Sequence, residues 1–182
     1  MFCIYKSPSL VENMRYSFCC FLFQIPKCIY HYEMQHSGRM IQIIPNYSLF
    51  EYQKEEDLFR YNSKYRRQFK NNIYNHHQLV DNHHIIPKQF QSHRLLQELN
   101  VDVACSKNIL FMRNRYAKQV FKNSSYIYHD SHRKYNQFVE RELQSIASLS
   151  DIESRKYQFC LLFMYLNRGI IDNDPYIKSL FS

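Results

Sequence analysis

Two histidine doublets stand in this chain: His76-His77 in "NHHQ" and His83-His84 in "VDNHHIIPKQF". An imidazole titrates near neutrality, so it can take a proton from water or offer a neutral nitrogen to a metal ion. Asn108 follows His84 by 24 residues, and His132 follows Asn108 by another 24, with His129 just ahead of it. The order is a histidine pair, an asparagine, then two histidines three apart. The second doublet therefore has downstream company that the first lacks, and His76-His77 read as a surface loop. The six cysteines contain no C-x-x-C pair, which excludes zinc-finger spacing. They read as reduced thiols in an intracellular protein. With 2 glycines in 182 residues, a Gly-rich phosphate loop is excluded as well.

These residues need elements to hold them. "QLVDNHHIIP" carries Leu79, Val80, Ile85 and Ile86 around the histidines and stops at Pro87, which fits a short strand or extended turn. "NILFMR", Asn108 to Arg113, has strand composition. Ser131 to Leu149 predicts a helix with Ser131 as N-cap and His132 at the first helical position. Its apolar stripe is Tyr135, Phe138, Val139, Leu143 and Ile146. A helix from Asp151 is expected to be well buried and to end at Gly169, and a short one follows Asp174-Pro175. Ser92 reads as the cap of another short helix. Ser48 to Asn72 predicts one long helix, with a capping box at Ser48 and Glu51, acids first and bases last. Arg60, Lys64 and Arg67 then share a face. Met40 to Phe50 holds a short strand ending before Pro45, and Met1 to Gly38, which has no clear period, reads as short helix and coil.

Charge points to the partner. Lys and Arg number 24 against 16 acids, a formal net charge of +8. The cations cluster without acids from Arg60 to Lys70 and from Lys107 to Lys122. That pattern favours a polyanion, nucleic acid before an anionic membrane. Arg60, Lys64, Arg67, Arg113, Arg115 and Lys118 are the candidate phosphate contacts. No apolar run reaches membrane-span length; "YSFCCFLFQI", Tyr16 to Ile25, reads as core or docking surface.

Taken together, "HHIIPK" at His83 to Lys88, "HRLLQELNVDV" at His93 to Val103, "NIL" at Asn108 to Leu110 and "HDSHRKYNQFVEREL" at His129 to Leu143 resemble the HNH endonucleases with a ββα-metal core. Within them the chain looks most like the branch named for its AHH motif, over about Asp81 to Leu149. Departures are Asn82 where that branch has alanine, Ile109 and Asp130 where it has glycine, and Met112-Arg113 and Arg133 where proline is common. They bear on loop geometry and leave the ligand set intact.

The resemblance implies a role for each residue. His84 would be the general base and Asn108 the catalytic-centre residue that buttresses the loop carrying it. His83, His129 and His132 would hold one divalent metal ion. Adjacent strand residues point to opposite faces, so His83 can meet the ion while His84 meets water. Imidazole-rich sets suit Zn, Ni or similar ions, while Mg prefers oxygen; related nucleases work with Mg or other divalent ions, so Mg and Mn stand beside Zn and Ni as candidates.

The expected fold is α+β, a small ββα-metal core embedded in a mostly helical domain. Residues 1-70 would form an extension with the basic helix, 71-149 the nuclease core, and 150-182 helices packing on it. The expected function is metal-dependent hydrolysis of DNA phosphodiesters with low sequence specificity. The alternatives are an RNase with the same core, or a non-catalytic zinc-stabilised nucleic-acid-binding module. Members of this branch often serve as toxins held by an immunity protein, so the expected partners are nucleic acid and an inhibitor protein. The expected location is intracellular, with a secreted effector as the other option.

Overall fold

The computed structural model describes residues 2–4, 16–18, 30–32, 41–45, 49–50, 54, 57–73 and 77–182. Its centre is an antiparallel hairpin. Strand β5 (Val80–His84) pairs with β6 (Ile109–Arg113) in a register that sets His83 opposite Leu110 and His84 opposite Ile109. The β6 sequence, Ile-Leu-Phe-Met-Arg, is buried throughout, because both faces are covered. Leu110 and Met112 enter the main core, while Phe111 on the other face stacks on Phe69 at 5.9 Å.

Further strands extend this sheet. β1 (Phe2–Ile4) and β4 (Ile41–Pro45) give the order β1-β4-β6-β5, and β2 (Tyr16–Phe18) pairs separately with β3 (Tyr30–Tyr32). This corrects the expectation of helix and coil in the first 38 residues. Strands of three residues are too short to show an alternating period. β4 also runs through Pro45 rather than stopping before it; a proline at a strand end removes little from the ladder.

Helix α1 (Lys64–Ile73) begins far later than the expected start at Ser48. Short polar side chains claim the backbone ahead of it. The Asp57 carboxylate accepts from Phe59 N at 3.2 Å and Ser106 N at 2.7 Å. Ser63 Oγ accepts from Arg66 N at 3.1 Å, and Asn62 turns the chain with φ 62°. Arg60 therefore precedes the helix and does not share a face with Lys64 and Arg67. Ser48 and Glu51 lie outside the described residues.

Helix α2 (Arg94–Glu98) is capped by His93, whose Nδ1 accepts from Leu95 N at 3.2 Å, so the cap is one residue beyond Ser92. The unforeseen α3 (Arg115–Phe121) follows β6 directly, capped by Asn114 Oδ1 on the N–H groups of Tyr116 and Ala117. α4 (Arg133–Ala147) buries Tyr135, Val139, Leu143 and Ile146 of the expected stripe, while Phe138 is only partly buried. α5 (Ile152–Ile171) starts at its Asp151 cap but runs through Gly169. A Cβ on Gly169 would lie 2.5 Å from Ile177 Cγ1, so the glycine admits α6 (Pro175–Ser179) at close range. The face of α5 bearing Tyr157, Leu161, Met164 and Tyr165 is exposed, so burial covers one side of it. The fold is thus α+β, with the hairpin and α4 as its ββα unit. The main core joins Ile85, Ile86, Leu96, Tyr135, Phe159 and Ile170. No helix among the described residues is long and apolar enough to cross a membrane.

Candidate metal and catalytic centre

β5 divides its residues between two environments. Asp81 and His83 face His129 and the start of α4, with Asp81 also near Lys70 of α1; Asn82 meets Arg66 of α1, and His84 meets Tyr61. The period of two in a strand produces this split.

On the first face three imidazoles converge. The His83 ring lies 5.2 Å from that of His129 and 5.7 Å from that of His132, and the last two are 5.1 Å apart. One ring nitrogen from each falls within 4.8 Å of the others. Different elements deliver them. His83 comes from β5. His129 is bridged to the end of β6, its N–H donating to the Arg113 carbonyl at 2.6 Å. His132 is the N-cap residue of α4, with non-helical φ of −131°, and its side chain makes no capping bond. That moves the cap one residue past Ser131 and frees the imidazole to turn to its neighbours.

Burial disfavours the charged form of His83 and His132. His83 is 2% exposed, and burial holds its pKa well below 6.5, with His129, His132 and His84 adding repulsion. Burial and then His129 lower that of His132. Asp81 Oδ2 stands 3.7 Å from His129 Nδ1, and Lys70 Nζ stands 3.9 Å from Asp81 Oδ1. The Asp81 carboxyl is pushed down, by the His129 side chain most and by Lys70 and Asn114 less. His83 Nε2 is buried with no hydrogen-bond partner among the described residues. A buried nitrogen without a proton partner is costly unless something else occupies its lone pair. Three converging imidazoles with such an atom fit a divalent ion of the zinc or nickel kind.

On the second face His84 packs edge-on to Tyr61, centroids 4.5 Å apart. Its pKa is lowered to about 4, by burial first and then by Arg66, Lys88 and His129. Its Nε2 is also buried and without a partner among the described residues. Such a ring is a neutral proton acceptor at pH 7.

Asn108 locks the chain that follows His84. Its Oδ1 accepts from Ile86 N at 2.7 Å, and its Nδ2 donates to Ile86 O at 2.9 Å and Val103 O at 2.7 Å. Its backbone carbonyl accepts from Ile85 N at 2.8 Å. Tyr135, buried on the α4 stripe, donates its hydroxyl to Ile85 O at 2.5 Å.

The expected phosphate contacts separate into kinds. Lys64, Arg67, Arg115 and Lys118 are exposed. Arg60 is paired with Asp102 at 2.9 Å. Arg113 is 3% exposed, with its guanidinium 3.8 Å from the Tyr126 ring centroid, so it faces inward and away from the surface. Lys118 lines a groove of about 810 Å³ together with Lys122, Lys178, Tyr128, Asp130 and Phe181. No histidine lines the groove; Phe181 joins the two, lining the groove with its ring 5.4 Å from that of His83. His76 lies outside the described residues, and His77 opens a 3₁₀ turn.

Sequence reading missed Asp81, Arg66, Lys122, Lys178 and Phe181. Asp81 was within reach of the strand period, two residues before His83. Arg66 was hidden as one cation in a basic run. It is buried, donating to Asn82 Oδ1, Phe59 O and Ile109 O at 2.9 Å each and lying over Phe111. This gives Asn82 a partner that an alanine there could not bind.

Comparison with curated proteins and with solved structures gives no match. A family model does match residues 65–159, just over half of the chain, and spans β5, β6 and α4 together with all five candidate residues. Three converging imidazoles, a neutral histidine on the next residue and an asparagine holding the loop agree with that match: the chain belongs to the AHH family, a nuclease family of the HNH/ENDO VII superfamily, and is an HNH-type endonuclease.

Proposed function

We propose that this nuclease hydrolyses DNA phosphodiesters in a metal-dependent reaction with low sequence specificity. The carrying observation is the set of His83, His129 and His132 with one buried, unpartnered Nε2, next to a neutral His84. His83, His129 and His132 would hold one divalent ion, Zn or Ni by donor type, with Mg or Mn the other options for this family. When bound, such an ion supplies positive charge for the phosphate oxygens and the leaving 3′ oxygen. His84 Nε2 takes the proton from the attacking water. Asn108 and the Tyr135 hydroxyl fix the backbone just after His84, which keeps the ring aimed at that water. Asp81 orients His129. Lys118 and Lys122 in the groove meet phosphates beside the scissile one, a contact that carries no base information and supports low specificity. The role of a toxin held by an inhibitor protein rests on the family resemblance alone.

The test incubates supercoiled plasmid, and separately RNA, with the full chain and its His84→Ala variant, with and without EDTA. The expected result is EDTA-sensitive nicking of the plasmid, reduced about 10²–10⁴-fold in His84→Ala. Equal nicking by the variant overturns the assignment of His84 as base. Faster cleavage of RNA overturns the preference for DNA. Metal and DNA binding without any nicking overturns the catalytic reading.

A further inference from the structure

Residues 160–182 lie outside the family match, yet the segment from Asn173 to Phe181 reaches the metal-binding histidines at three points. The Phe181 ring lies 5.4 Å from His83, 6.2 Å from His132 and 4.8 Å from Tyr135. The Leu180 carbonyl accepts from Tyr135 N at 3.1 Å. That N–H is in the first turn of α4, where no intrahelical acceptor exists. Normally an N-cap side chain would serve it, but here the N-cap is His132, whose side chain makes no such bond. Leu180 supplies the cap from outside and leaves the imidazole available. Finally, Asn173 Oδ1 accepts from Ile127 N at 2.8 Å, and Lys178 Nζ donates to Ser124 O. Both bonds fasten the stretch leading into His129.

We propose that Asn173–Phe181 is a positioning clasp for the metal centre. It sets His129 through Asn173 and Ile127, His132 through Leu180 and Tyr135, and His83 through the Phe181 ring. The proposal rests on the reading of these histidines as metal ligands. It predicts that metal affinity depends on side chains that touch no metal.

Cobalt(II) is the probe, titrated into the full chain while its visible absorption is followed, with Tm measured on each apo variant. Asn173→Gly removes the acceptor while glycine adopts the backbone φ of 56° without strain. Phe181→Ala removes the ring, and Phe181→Leu keeps apolar bulk. Ile146→Ala opens a core cavity at the far end of α4, about 20 Å from His132 along the helix. Asn173→Gly and Phe181→Ala are expected to weaken cobalt binding about 10–100-fold and alter its spectrum. Phe181→Leu is expected to recover part of the affinity, and Ile146→Ala to lower Tm with affinity unchanged. Wild-type affinity and spectrum in Asn173→Gly and Phe181→Ala overturn the clasp. So does an equal loss in Ile146→Ala, which would make the effect one of global stability. If Phe181→Ala does not fold, Asn173→Gly decides. A wild-type chain that binds no cobalt overturns the metal reading itself, a result separate from any difference between variants.

Discussion

Asn108→Ala tests whether His84, the proposed base, is held by the loop that follows it. Asn108 is 1% exposed, so water does not replace what the side chain gives up. The variant loses the three side-chain bonds to Ile86 N, Ile86 O and Val103 O and keeps the backbone bond to Ile85 N. Each buried group left without a partner costs about 1–3 kcal/mol. The carbonyls have second lone pairs and the lost amide leaves little volume, so the sum settles at about 4 kcal/mol. For a chain of this size that lowers Tm by about 8–16 °C. Asn108→Asp has nearly the same shape but turns an oxygen toward two carbonyls, and should be destabilised at least as much at pH 7. Urea denaturation checks the stability, and plasmid nicking at low temperature, where the variant stays folded, checks the function. A displacement of His84 of order 1 Å costs about 10²-fold in kcat. A stability loss under about 1 kcal/mol would show that these bonds are replaceable. An unchanged kcat in folded Asn108→Ala would show that His84 does not depend on them.

Other outcomes follow from the same geometry. With the His84 pKa lowered to about 4, about 97% of the rings are neutral at pH 5.5, against about 9% for an ordinary histidine. Nicking under metal saturation should therefore hold steady down to about pH 5.5, and an acid limb near 6.5 would contradict the shift. The unfolded chain protonates this ring below about 6.5 while the native one does not until about 4, so stability is lost as the pH falls through that window, readable from urea midpoints. Arg66→Met leaves Phe59 O, Ile109 O and Asn82 Oδ1 without their donor and should cost about 2–4 kcal/mol by chemical denaturation. Lys118→Gln with Lys122→Gln should reduce the slope of log affinity for DNA against log salt by about 2, with cobalt binding unchanged. Gly169→Ala should destabilise by about 1–3 kcal/mol in thermal denaturation despite the better helix propensity of alanine, because the new Cβ meets Ile177.

The sequence was most readable where periodicity is long or chemistry is marked. The α4 stripe repeats over four turns, and the histidines stand in a fixed order with Asn108. Capping was less readable: Ser92 and Ser131 are better intrinsic caps than the residues beside them, yet His93 and His132 hold those positions. Tertiary contacts decide there, since Leu180 serves the first turn of α4 from another part of the chain. The long helix expected from Ser48 failed for a similar reason. Its charge pattern is helical, but Asp57 is committed to Ser106 N, 49 residues away, a bond no local rule contains. α3 went unseen because the signal for it is a single residue, the Asn114 cap, behind a strand with no turn between. The groove lysines and Phe181 come from separate segments, and only the fold sets them beside the histidines.

A histidine doublet can divide labour because its two faces differ in charge as well as direction. Burial most, and then the cations Arg66 and Lys88 behind the ring, oppose the protonation of His84. On the face of His83 stands the carboxylate of Asp81, which attracts the His129 ring and would strengthen it as a ligand. Were the carboxylate on the other face, it would stabilise the imidazolium of His84, raise its pKa and lower the neutral fraction near pH 7. Here position 82, between Asp81 and His83, holds a neutral asparagine that accepts from Arg66. The guanidinium is thereby held near His84 without its charge being neutralised. The departure from alanine at this position thus anchors a cation that adds to burial in opposing protonation of His84.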